Sequence, residues 1–96
     1  MLPSTLTHIF FNGDFNQKII IPESVLYLGL SDKFDCLINI PSSVKFLCIK
    51  NNNNNIVDYL TDNLETLVIQ SYDNFNAELN NLPNSIETLI VDISKD

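Results

Sequence analysis

One short phrase recurs along this chain, and its period constrains the fold more than any composition figure. Aligned on proline, it stands at Leu2-Pro3, Ile21-Pro22, Ile40-Pro41 and Leu82-Pro83, with Leu60-Thr61 in the same role between the last two. The key positions 3, 22, 41, 61 and 83 are separated by steps of 19, 19, 20 and 22 residues. Three residues after each stands an aliphatic residue: Leu6, Val25, Val44, Leu64 and Ile86. Six after come Ile9, Leu28, Leu47, Leu67 and Leu89, and eight after come Phe11, Leu30, Ile49, Ile69 and Val91. All fifteen are apolar in a chain that is 45% hydrophobic, so the pattern is not a product of composition.

Positions +6 and +8 point to one face of an extended strand, and +3, one turn earlier, reaches the same interior. A strand of a few residues cannot bury such a column alone. Stacked in register at roughly 4.8 Å, the strands of successive units can. The pattern predicts a β-rich solenoid like that of leucine-rich repeats, with about five short parallel strands and little α-helix. The repeats run about 2–20, 21–39, 40–59, 60–81 and 82–96, in a single domain over 1–96. Proline presets the turn into each strand. Ser24, Ser43 and Ser85, with Thr5 in the first unit, are expected to bond the nearby backbone of that turn and not to form a catalytic series.

The return arms are rich in Asn and Asp, carry Phe15, Phe34 or Phe75 near the middle, and end in aliphatics. Asn and Asp favour turns over helix interiors, so irregular or 3₁₀ arms follow. Val57, Leu60 and Leu64 have helical spacing, which allows one helical turn over 56–63. The run Asn51 to Asn55 reads as a polar loop of low complexity.

Charge excludes some functions. Five Lys and Arg face twelve Asp and Glu, a net charge of −7, which leaves no basic footprint for nucleic acid or an anionic membrane. Two cysteines, Cys36 and Cys48, permit one bridge at most; reduced thiols are expected. No run approaches the ~18 apolar residues of a membrane span, and no basic leader opens the chain. A soluble, cytoplasmic protein is expected. Asp14, Asp32, Asp35, Asp58, Asp62 and Asp73 lack the alternating spacing of a calcium loop, and no glycine-rich phosphate loop occurs. Cofactors and metals are therefore not expected.

At Leu2-Pro3-Ser4-Thr5-Leu6-Thr7-His8-Ile9-Phe10-Phe11, followed by Asp14-Phe15-Asn16-Gln17-Lys18-Ile19, the chain resembles the FNIP repeat. Ile21-Pro22-Glu23-Ser24-Val25 and Ile40-Pro41-Ser42-Ser43-Val44 keep the same phrase, and Phe75-Asn76 returns in the fourth unit. That family is a relative of the leucine-rich repeat, abundant in social amoebae and in giant viruses that infect them. The resemblance implies a scaffold for protein recognition in an amoebal cytoplasm, the host's if the protein is viral. In viral relatives such a scaffold often stands behind an F-box, as the substrate-reading part of a ubiquitin-ligase adaptor. No helical stretch precedes Leu2-Pro3.

The same alignment names the face turned away from the core. Position +5 gives His8, Tyr27, Phe46, Thr66 and Thr88. Position +7 gives Phe10, Gly29, Cys48, Val68 and Ile90, and position +9 gives Asn12, Ser31, Lys50, Gln70 and Asp92. A solvated sheet face would be polar at these positions, and contiguous apolar patches mark partner surfaces. The candidate protein-binding residues are His8, Phe10, Tyr27, Phe46, Cys48, Val68, Gln70 and Ile90. His8 has no matching nucleophile or orienting group in the stack, so catalytic residues are not expected and the chain does not read as an enzyme. Apolar units at both ends, Leu2-Pro3 and Ile90 to Ile93, further suggest a homo-oligomer or longer assembly through edge pairing.

Overall fold

Five short strands form one sheet in the order β1-β2-β3-β4-β5, every neighbouring pair parallel. They are β1 (His8–Phe10), β2 (Tyr27–Leu30), β3 (Phe46–Ile49), β4 (Thr66–Ser71) and β5 (Thr88–Ile93). This is a computed structural model, and it describes residues 2–31, 39–50, 60–71, 79 and 82–93. No helix occurs among the described residues. The register follows the sequence alignment: His8 pairs with Tyr27, Tyr27 with Phe46, Phe46 with Thr66, and Thr66 with Thr88. Each strand contacts only the strands beside it, as a solenoid requires.

The conserved spacing of the phrase has a backbone cause. In every unit the N–H three residues after the key position donates to the key residue's carbonyl at 3.1 to 3.4 Å, closing a β-turn. Thr61 makes this turn as the prolines do, so its unit keeps the geometry without the ring. One residue later the chain joins the sheet through a forked bond. Leu26 and Tyr27 both donate to the Thr7 carbonyl, at 2.8 and 3.0 Å, and the fork repeats on the carbonyls of Leu26, Lys45 and Glu65.

The serines act between units. Ser24 Oγ donates to the Leu6 carbonyl at 2.6 Å, Ser43 Oγ to Val25 at 2.7 Å and Ser85 Oγ to Leu64 at 2.7 Å. The expectation of bonding within the local turn is thereby corrected. The turn's own carbonyl is already taken by a backbone N–H, and stacking brings the previous unit's carbonyl within hydroxyl reach. In the fourth unit Asn63 stands in the serine position and donates to the Ser42 carbonyl at 3.1 Å.

Val25, Val44, Leu28, Leu47, Leu67, Ile49 and Ile69 are fully buried, with Leu64 beside them. Such side chains contribute roughly 1.5–3 kcal/mol each on burial. Ile21 and Ile40, just before proline, close the same cluster. Phe11 and Phe15 stack at 4.6 Å between ring centroids and pack against it from the first arm. That arm turns at Gly13, whose φ of 66° lies in the left-handed region. The expected helical turn over 56–63 is described only at 60–63, where Thr61 begins a β-turn closed by the Leu64 N–H. The Asn51 to Asn55 loop, Cys36, Phe34 and Phe75 lie outside the described residues.

Candidate functional site

Parallel stacking places equal repeat positions side by side, so each outward column becomes a row running across the strands. In the first row His8 and Tyr27 stack with ring centroids 4.4 Å apart at 20°, and Phe46 follows Tyr27 at 6.1 Å, tilted by 46°. Strand spacing sets such distances. Aromatic residues at matched positions on neighbouring strands are held close to the separation at which rings attract. Thr7 Oγ1 and His8 Nδ1 are hydrogen-bonded at 2.7 Å, which fixes the first ring of the stack.

The second row contains a gap where Gly29 stands. The ring of Phe10 folds over it: the three atoms nearest to a Cβ at position 29 all belong to Phe10, and Cδ1 is so close that a methyl group would collide with it. Cys48 and Val68 continue the row. Both are only 8% exposed, although they face away from the core. Larger neighbours in the flanking rows shield these small side chains.

Around this row lies a shallow depression of about 270 Å³. Phe10, Gly29, Phe46, Cys48 and Val68 line its apolar part, and Asn12, Lys50 and Gln70 its polar side. Burial raises the pKa of the Cys48 thiol above its ordinary value, while the nearby Lys50 ammonium acts against that shift. The thiol is thus neutral near pH 7 and behaves as a small hydrophobe. Cys48 is a free cysteine. Among the described residues no group of three or more His, Cys, Asp and Glu side chains could hold a metal ion, and no helix is long and apolar enough to cross a membrane.

Residues 15–52 match the family model of the FNIP repeat. No curated protein and no solved structure matches the chain significantly. The FNIP match begins at Phe15, the arm aromatic packed on the core, and runs through β2 and β3 to just beyond Lys50. It therefore includes Gly29 and Cys48, the centre of the depression. Residues 15–52 are thus similar to the FNIP repeat, and the described strands form a parallel-stranded, leucine-rich-repeat-like sheet.

Of the residues singled out from sequence, Phe10, Phe46, Cys48, Val68 and Gln70 line the sheet's depression. His8 and Tyr27 form the aromatic stack beside it. Ile90 is 48% exposed on β5 and is not part of the lining. Gly29, Lys50 and Asn12 of the outward rows also line it, beyond the candidates named from sequence. The signal available for Gly29 was its place between two bulky neighbours, Phe10 on one strand and Cys48 on the next. Ser31 corrects the alignment. It was assigned to the outward face, yet it is buried and donates from Oγ to the Phe15 carbonyl at 3.2 Å. β2 ends at Leu30, so strict alternation no longer governs the next residue.

Proposed function

We propose that this chain is a protein-recognition module, not an enzyme, and that it takes an apolar segment of a partner protein on its outward sheet face. The observation that carries this reading is a pair of exposed aromatic side chains on that face. Phe10 is 53% exposed and Tyr27 39%, and both border the same depressed row. Aromatic anchors around a small apolar recess are what a binding hot spot needs. Asn12, Lys50 and Gln70 supply a polar rim along one side. The inner face is committed to the core, and the FNIP repeat itself is a repeat module.

Site-resolved photocrosslinking tests the assignment. A photoreactive phenylalanine analogue at position 10 is expected to capture a discrete partner, whereas the same group at the exposed turn residue Glu23 is not. Tyr27→Glu should weaken capture from position 10 by tenfold or more, in line with about 2 kcal/mol for a hot-spot aromatic, while the circular-dichroism signature of the folded chain is retained. Equal capture from positions 10 and 23, or capture indifferent to Tyr27→Glu, rejects the reading.

A further inference from the structure

The two edges of the sheet are β1 and β5, and they differ from the interior in complementary ways. At the β5 edge, Leu89 and Val91 occupy the core positions that Leu67 and Ile69 occupy one strand earlier. Leu89 is 42% exposed and Val91 41%, against 0% for both predecessors. The Glu87 carbonyl stands where those of Thr7, Leu26, Lys45 and Glu65 each receive two N–H groups, but among the described residues it receives no such fork. The Ile86 carbonyl stands where those of Leu6, Val25 and Leu64 each receive a hydroxyl.

The β1 edge carries the matching set. Thr7 and His8 hold the fork's donor positions, and their N–H groups have no preceding strand among the described residues. Thr5 holds the hydroxyl position of Ser24, Ser43 and Ser85. Leu6, Ile9 and Phe11 form the corresponding apolar column. Residues 2–13 contain no Asp or Glu in a chain of net charge −7, whereas Glu87 and Asp92 flank the β5 edge. Bringing the two edges together sets no acidic side chain against another.

We propose that the β5 edge receives the β1 edge of a second copy, so that copies stack end to end and the parallel sheet continues across the junction. The geometry is that of one more repeat: His8 of the incoming copy beside Thr88, Ile9 beside Leu89 and Phe10 beside Ile90. Such a contact is heterologous, and each copy retains a free edge for the next. It leaves the outward sheet face of every copy available, so it stands or falls separately from the recognition role above.

A complementation experiment decides it. Light scattering of the 96-residue chain across a hundredfold concentration range should show mass rising with concentration. Thr5→Arg places a long charged side chain at the exposed head, and Leu89→Lys does the same at the tail. Each variant alone should remain monomeric, and an equimolar mixture should form a complex of two chains and no larger, because one intact head and one intact tail remain. Val91→Lys serves as the tail variant should Leu89→Lys lose its circular-dichroism signature. Phe46→Glu, on the outward face of β3 and away from both edges, should leave the assembly of the otherwise unaltered chain in place. A monomer throughout the range, a mixture that stays monomeric, or assembly unaffected by both end variants overturns the proposal.

Discussion

The ring of Phe10 rests on the backbone of Gly29 in the adjacent strand, in space that any side chain at position 29 would need. Gly29 is otherwise an ordinary strand residue, buried in the middle of β2. Its missing side chain is therefore a property of the site more than of the strand.

Gly29→Ala is expected to cost about 1–2 kcal/mol by overpacking against the ring. In a Phe10→Ala background the sign should change: the clash is gone, and alanine gains up to about 0.5–1 kcal/mol over glycine in an element interior. Denaturant titration of the two single variants and the double variant measures this as a coupling energy. Additive effects would show that the ring and the glycine are not in contact.

Ser43→Ala removes the hydroxyl that reaches back to the Val25 carbonyl at 2.7 Å. The expected loss is about 1–2 kcal/mol, or roughly 4–8 °C of melting temperature per kcal/mol for a chain of this size. Ser42→Ala, one residue away and exposed, should stay within about 0.5 kcal/mol of the parent. Equal melting temperatures for the two variants would place the serine's contribution elsewhere.

The Cys48 thiol gives a pH signature. Burial raises its folded pKa, whereas the unfolded thiol ionises near about 8.5. The stability tied to the neutral thiol is therefore whole below that value and is lost as pH rises through the raised folded value. Unfolding free energy should decline on the alkaline side, and the Cys48→Ala chain should lack that component of the decline. Lys50→Ala should slow thiol alkylation further, since it removes the charge that favours the thiolate.

The strand registers were legible in the sequence because a period of about twenty residues, combined with alternation inside each strand, leaves one register that turns all fifteen apolar positions to a common face. The rows of the outward face followed from the same alignment. Other features were not legible for identifiable reasons. That Ser24, Ser43 and Ser85 bond the previous unit depends on which carbonyl stacking brings near, and a single repeat does not contain that information. Ser31 turned inward because alternation stops with its strand. The low exposure of Cys48 and Val68 on an outward row depends on neighbours from other repeats, and the path of the Phe10 ring is a rotamer choice permitted by a glycine nineteen residues later in the chain.

The backward reach of those serines also bears on how such chains change length. Each unit brings its own side-chain donor, its own carbonyl acceptor and its own share of the apolar column, and addresses all three to a neighbour of the same pattern. Duplication or deletion of one unit in the gene therefore joins surfaces that already fit, with no compensating substitution required. Thr61 and Asn63 show how far a single copy can drift while its turn still closes and its amide still reaches the unit before it.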